Sequence, residues 1–224
     1  MKRSAFLFLF ILMSVADLMA VSLDLRGLEI LSKPLIVLFL IGYYVSSASR
    51  RSTIFILALI FCSLGDTVLL FESVGEAVMV YGLLTFLIAH GLFIFAFRRH
   101  CFAKPTSELA NPQKMRIAFP VILAGTGLCV VLYPGLGGLK IPVMIYALVL
   151  TGMVVSAVFR LGLTNNKSFW LVFSGAALFM TSDSILAINK FLNPLAHAPL
   201  WIMVTYCVAQ FLIVEGILQH PSQD

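Results

Sequence analysis

The sequence predicts an all-α protein of eight transmembrane helices, and three observations carry that prediction. Of its 224 residues, 61% are hydrophobic and only 11% are charged, against about 25% charged residues in an ordinary soluble domain. The mean hydropathy is +1.04. The apolar residues fall into eight separated runs. A soluble core of this size cannot hide so much apolar surface behind so few charges. The composition therefore excludes a soluble enzyme, a nucleic-acid binder and a disordered chain.

A helical span needs about 20 apolar residues to cross a hydrocarbon layer of about 30 Å. The first run, Ser4–Val21, follows Lys2 and Arg3. Its basic start and Ala20 imitate a secretory signal, but seven further spans mark it as a retained helix. The second run, Leu31–Ser46, is short. Lys33 has to snorkel at its start, and Pro34 suits a first helical position, where no N–H is needed. Ser52–Phe71 and Val78–Phe97 follow at full length. The connection His100–Arg116 comes next, with Lys104, Pro105, Asn111, Pro112 and Lys114, and reads as a basic cytoplasmic linker. Ile117–Tyr133 is again short. Leu139–Phe159, Ser168–Asn189 and Ala198–Leu218 complete the set. The remaining connections are brief, so residues 1–224 read as one helical-bundle domain.

Orientation follows from the basic residues of short loops. One face carries Lys2, Arg3, Arg50, Arg51, Arg98, Arg99, Lys104, Lys114, Arg116, Arg160 and Lys167. The other carries Arg26, Lys33, Lys140 and Lys190, a split of 11 to 4 over the 15 basic residues. Both termini are expected in the cytoplasm, and the expected location is a bacterial inner membrane. The net charge of +5 belongs to this asymmetry. Tyr43, Tyr44 and Trp201 fit interfacial belts. Phe6, Phe8 and Phe10 read as lipid-facing or packing residues.

A faint internal repeat is visible. Ser63-Leu64-Gly65-Asp66-Thr67 in helix 3 is echoed by Met180-Thr181-Ser182-Asp183-Ser184 in helix 7, and Phe86 to His90 in helix 4 by Tyr206 to Gln210 in helix 8. Elements four helices apart run the same way, so a parallel four-plus-four duplication is a possible origin.

Metal and phosphate chemistry find no support in the pattern. Cys62, Cys101, Cys129 and Cys207 have no metal-ligand spacing, and three of them lie in apolar runs as packing residues do. His90, His100, His197 and His220 contain no pair four residues apart, so there is no zinc helix of the HExxH kind. There is no glycine-rich phosphate loop. No cofactor is expected.

The intramembrane charges point to function. A carboxylate inside a bilayer costs about 2.5–3.5 kcal/mol even on the insertion scale, so it faces a bundle interior or a wet cavity. Asp66 lies 15 residues after Arg51 and 6 before Glu72; Asp183 lies 16 after Lys167 and 7 before Lys190. At 1.5 Å per residue each is about 22–24 Å from the cytoplasmic edge and about 9–10 Å from the outer one. Two separate helices thus place a carboxyl at one level. If the two meet, they cannot easily both ionise, which suits one acid giving a proton and one carboxylate taking a proton from water. Ser63, Thr67, Ser182 and Ser184 are candidates to orient them. The alternative is that each aspartate caps backbone or pairs with Lys33 or Lys190.

Around this pair, Tyr206 lies about 13 Å below His197, near the same level, with Gln210 one turn deeper. Either could hold a polar head or tie helices together. Lys33, Asn189 and Lys190 lie toward the outer mouth. His90 is about 12 Å from the cytoplasmic edge and reads more readily as an interhelical histidine than as a catalytic one. Asp17 and Glu215 sit near span ends and read as solvated or helix-paired.

At these residues the chain resembles the YhhN-like, or lysoplasmalogenase-like, multi-pass membrane family. The matching pieces are Lys33-Pro34, Ser63 to Asp66, Phe86 to His90, Ser182 to Ala187 with Asn189-Lys190-Phe191, and Tyr206 with Ala209-Gln210. The resemblance implies a metal-free hydrolase for the vinyl-ether bond of lysoplasmalogens, releasing a fatty aldehyde and a glycerophospho-head group. Asp66 and Asp183 would be catalytic. Lys33, Tyr206, Gln210, Asn189, Lys190, Ser182 and His90 would bind the lipid. The partners would be that lipid and the bilayer, with no nucleic acid. Two rival readings are a small proton-coupled transporter, since buried acids also mark transporters, and an intramembrane aspartyl protease.

Overall fold

The computed structural model describes residues 3–101 and 111–220, the side chains of Asn111 and Pro112 apart. Lys2 and the middle of the basic connection, with Lys104 and Pro105, lie outside the described residues. Among the described residues there are eight α-helices: α1 (Arg3–Ser22), α2 (Arg26–Ser47), α3 (Thr53–Leu69), α4 (Glu76–Arg99), α5 (Asn111–Leu132), α6 (Lys140–Val158), α7 (Asn166–Phe191) and α8 (Ala198–Leu218). Seven are long and apolar enough to cross a membrane; α3, with 17 residues, is the shorter one. The protein is an integral multi-pass membrane protein.

Most helices overrun their apolar runs, and the extra turns have visible causes. The expectation that α2 is short, with Lys33 and Pro34 at its start, is incorrect. The helix has 22 residues and begins five earlier than its apolar run. Glu29 lies one turn from both Arg26 and Lys33 and pairs with them at 2.8 and 2.5 Å, an i,i+3 and i,i+4 arrangement that supports an exposed first turn. Pro34 therefore lies inside the helix, where its missing N–H removes one backbone bond. Its own carbonyl accepts from Ser63 Oγ on α3 at 3.2 Å, the kind of neighbouring contact that makes an intramembrane proline tolerable. α5 is likewise not short: it starts at Asn111 and has 22 residues. α3 and α7 begin at side-chain caps, with Ser52 Oγ accepting from Phe55 N and Asn165 Oδ1 from Ser168 N.

Neighbouring helices pack in pairs, α1 on α2, α3 on α4 and α7 on α8, and α8 also touches α1 and α2. α8 is the most interior helix, while α1 and α5 lie at the periphery and expose Phe8, Ile11, Phe119, Leu123 and Val130. Such exposed apolar surface is what lipid covers. Close approach of α7 and α8 depends on glycine. A Cβ on Gly175 would stand 2.9 Å from Ala209 O and Ile213 N, so only a residue without one fits.

Tyr43 and Tyr44 are not belt residues: both are fully buried. Tyr43 Oη donates to Glu215 at 2.8 Å and accepts from Arg3 at 2.6 Å, and Tyr44 Oη accepts from Ser52 N at 3.0 Å. These polar partners draw both rings inward and tie α1, α2 and α8 together. Trp201 is exposed. Glu215 and Asp17 are both helix-paired; Asp17 is fully buried and accepts from Ser32 Oγ at 2.9 Å.

The two ends of the bundle differ. At one end lie Arg3 with Glu215, Arg160 with His100, and Asn165 with Gln219. At the other lie the Arg26–Glu29–Lys33 cluster and the Lys190–Glu72 pair at 3.2 Å.

Candidate active site

A cavity of about 480 Å³ opens at the Arg26–Lys33–Lys190 end, within the range typical of small-molecule pockets. Four helices supply its polar depth: α3 brings Asp66, α6 Tyr146, α7 Ser182 and Asp183, and α8 Tyr206. Leu69, Leu83, Phe86, Val143, Leu186 and Met203 give it apolar walls. Arg26, Glu29, Lys33, Glu72 and Lys190 ring the mouth. The cavity thus runs from a charged rim to a deep pair of carboxyls, with hydrocarbon between.

Asp66 and Asp183 face this one cavity, and each is held by a tyrosine from a different helix. Tyr206 Oη donates to Asp66 Oδ2 at 2.6 Å. Tyr146 Oη donates to Asp183 Oδ2. A phenol that donates to a carboxylate makes a charge-assisted bond, roughly twice as strong as a neutral one. Asp66 is itself buried, while Asp183 keeps partial exposure. The lysines considered as partners are engaged elsewhere, Lys33 with Glu29 and Lys190 with Glu72.

The flanking hydroxyls do not orient the carboxyls as the sequence suggested. Thr67 Oγ1 donates to Ser63 O and Ser184 Oγ to Met180 O, each one turn back on its own helix. Ser63 Oγ donates to Pro34 O and Ser182 Oγ to Ile202 O, tying α3 to α2 and α7 to α8. Hydroxyls in helices commonly satisfy themselves on backbone carbonyls in this way. Ser182 still lines the cavity.

The other sequence candidates divide between rim, depth and backing. Lys33, Asn189 and Lys190 line the outer part, and Asn189 Oδ1 also accepts from Leu195 N at 2.9 Å, shaping the turn after α7. Among the described residues the wall does not include Gln210 or His90. Gln210 is fully buried behind Tyr206 and donates from Nε2 to its hydroxyl at 3.1 Å. It therefore steadies the ring that holds Asp66. His90 is fully buried among Phe86, Tyr146 and Phe179, at centroid distances of 6.3, 5.4 and 4.8 Å, and among the described residues neither ring nitrogen has a hydrogen-bond partner.

Tyr146 is the residue that sequence reasoning missed. Its signal was available, since it lies six residues after Lys140, about 9 Å from the outer edge and level with both aspartates. Arg26, Glu29 and Glu72, which complete the charged rim, were also missed, because they fall between apolar runs. No group of three or more metal-capable side chains occurs among the described residues.

Residues 28–217 match the YhhN family, a stretch that includes every cavity residue named here except Arg26. A lysoplasmalogenase of Mycobacterium bovis is 35% identical over 143 residues, covering 61% of this chain and 50% of that protein. Lysoplasmalogenase TMEM86B of Homo sapiens is 34% identical over 194 residues, 85% of this chain and 76% of the relative. Lysoplasmalogenase TMEM86A of Homo sapiens is 31% identical over 177 residues, 77% and 68%. The chain spans half the length of the mycobacterial relative it matches. No solved structure matches it.

Proposed function

The chain belongs to the YhhN family, and on that premise we propose that it is a membrane-embedded hydrolase that cleaves the vinyl-ether bond of lysoplasmalogens. Its relatives carry the name lysoplasmalogenase. The observation that carries the reading beyond the family is the cavity itself, where two carboxyls from α3 and α7 share one lipid-sized hollow and each is held by a tyrosine.

The chemistry fits an acid and a base. One carboxylic acid delivers its proton to the vinyl carbon remote from the ether oxygen. The double-bond electrons form the new C–H bond and leave an oxocarbenium ion. The second, ionised carboxyl stabilises that cation and takes a proton from the water that attacks it. The hemiacetal then loses its hydroxyl proton to the first carboxylate. The second acid protonates the departing glycerol oxygen as the C–O bond breaks. Aldehyde and glycerophospho-head group leave, and both carboxyls regain their starting states. The tyrosines fix the carboxyls between these exchanges, and proximity supplies much of the rate.

The lipid fits in one direction. Its head lies at the rim, its glycerol reaches inward so that the vinyl-ether bond stands at the carboxyls, and its aliphatic tail continues along apolar wall such as Phe86. A zwitterionic head meets both signs there: Arg26, Lys33 and Lys190 for the phosphate, Glu29 and Glu72 for the ammonium. In the positive-inside orientation this rim faces outward from a bacterial inner membrane.

Asp66→Asn and Asp183→Asn variants in liposomes, assayed for aldehyde release from a lysoplasmalogen, test the proposal. Each is expected to lose activity by at least about a hundredfold, the lower range for removing a general acid or base. Full retention by either variant would remove that residue from the reaction. Flux of intact lipid into proteoliposomes without cleavage would favour transport instead.

A further inference from the structure

A second cavity, of about 610 Å³, lies between α4 and α6 at the opposite end of the bundle from the aspartates. Toward the middle of the two helices it is apolar, with Ile94 and Val155; toward their ends it carries Arg98, Cys101 and Arg160. Arg160 is the largest fully buried side chain among the described residues, only 1% exposed. Its Nη2 donates to His100 O at 3.1 Å and to Ser168 Oγ at 2.9 Å. Both partners are neutral, the guanidinium lies 5.9 Å from the Phe97 ring centre and beside the Cys101 thiol, and among the described residues Nε and Nη1 have no partner at hydrogen-bond geometry. Burial lowers its pKa only to about 10, so it stays cationic at neutral pH.

Among the described residues no carboxylate pairs with it, and a buried guanidinium without a counter-ion costs several kcal/mol. The surroundings add positive charge rather than remove it. Lys114, itself buried, acts together with Arg160 on Cys101, whose thiol is raised by burial and drawn back by these two cations. Arg98 stands exposed at the rim. Gly152 lies eight residues before Arg160 in the same cavity wall, about 12 Å along α6. A Cβ there would meet only Ile94, at 3.7 Å. The groove therefore runs from a cationic end to an apolar interior over several methylene lengths.

We propose that this cavity binds an anionic phospholipid, with the phosphate held by Arg160 and Arg98 and the first acyl methylenes lying along the groove toward Gly152. Arginine suits phosphate through directional, charge-assisted bonds, and basic pockets between transmembrane helices suit anionic headgroups. The apolar interior argues for a lipid over a free anion. This site is separate from the aspartate cavity and does not depend on the reaction proposed there.

The test is native mass spectrometry of the full-length purified protein in detergent, offered phosphatidylglycerol and phosphatidylcholine at equal concentration. Phosphatidylglycerol should be retained selectively, and millimolar inorganic phosphate should not displace it. Arg98→Gln should weaken retention about tenfold, the loss of one bond to a charged group. Gly152→Leu, which fills the groove, should weaken it at least as much. Arg160→Gln should abolish it; if that variant does not fold, the other two decide. Equal retention of both lipids would overturn the proposal. So would unchanged retention in both Arg98→Gln and Gly152→Leu, or displacement by inorganic phosphate alone, which would mark a site for a free anion.

Discussion

Replacing Tyr146 with phenylalanine removes one hydroxyl and leaves the ring. In the folded protein that hydroxyl donates to Asp183. A hydrogen bond to a charged group contributes about 1.5–3 kcal/mol. Because the bond is already made in the resting protein, the rate falls only as far as Asp183 leaves the position its tyrosine fixes, with this energy as the ceiling. At 1.36 kcal/mol per decade that ceiling is about a 10- to 150-fold fall in kcat/KM. Tyr206→Phe should cost a similar factor through Asp66, whose bond is 2.6 Å. It also strands Gln210 Nε2, so it should lower stability by a further 1–3 kcal/mol, about the cost of an unsatisfied buried donor. The assay is aldehyde release from a lysoplasmalogen in liposomes, normalised to folded protein by size-exclusion profile. Ser184→Ala and Thr67→Val are the controls, because those hydroxyls bond backbone carbonyls one turn back and do not line the cavity, and they should change the rate less than about threefold. A Tyr146→Phe enzyme at wild-type rate, or control variants more damaged than the tyrosine variants, would refute the reasoning.

Three further outcomes follow from the same geometry. Gly175→Ala should lower the melting temperature by several degrees, because its Cβ meets α8 backbone at 2.9 Å and backbone cannot yield as a side chain can; Gly91→Ala, with open space around it, should be neutral. Glu72→Gln should alter KM for a zwitterionic lysolipid more than kcat, since Glu72 lines the rim and pairs with Lys190; a change confined to kcat would contradict the placing of the head group. His220 is held below the ordinary histidine range by burial, with Arg160 adding to the effect. The unfolded chain then takes up a proton near pH 6.5 that the folded protein resists. Its contribution to stability is complete above that pH and is lost as pH falls toward the folded value. Thermal unfolding between pH 8 and 5 should show this slope, and His220→Gln should flatten it.

Much of the fold is legible in the sequence because a bilayer allows so little freedom. Every backbone group must be satisfied within its own segment, so each long apolar run becomes a helix. The helix ends were less legible. Arg26 to Ile30 extends α2 on charge pairs, and Asn111 to Arg116 extends α5, although neither stretch is apolar. The aspartate level could be read by counting residues from charged edges, and both carboxyls do line one cavity. Tyr206 could be placed at the aspartate level by the same count, but its bond to Asp66 could not, and Tyr146 was passed over because a lone tyrosine in an aliphatic run looks like packing. The serines misled for a local reason, since a hydroxyl next to a buried carboxyl is more easily satisfied by a backbone carbonyl within reach. Tyr43 and Tyr44 misled in the opposite sense: their position near a span end suggested an interface, but Arg3, Glu215 and Ser52 hold them inside.

The most direct measurement is to run the reaction in heavy water and locate the deuterium in the product. Carbon protonation of a vinyl ether by a fixed carboxylic acid predicts one deuterium on the carbon next to the aldehyde, delivered to a single face and preserved by immediate reduction to the alcohol. An aldehyde free of deuterium at that carbon, formed at an undiminished rate, would mean that no acid adds a proton there, and would contradict the role given to the two carboxyls.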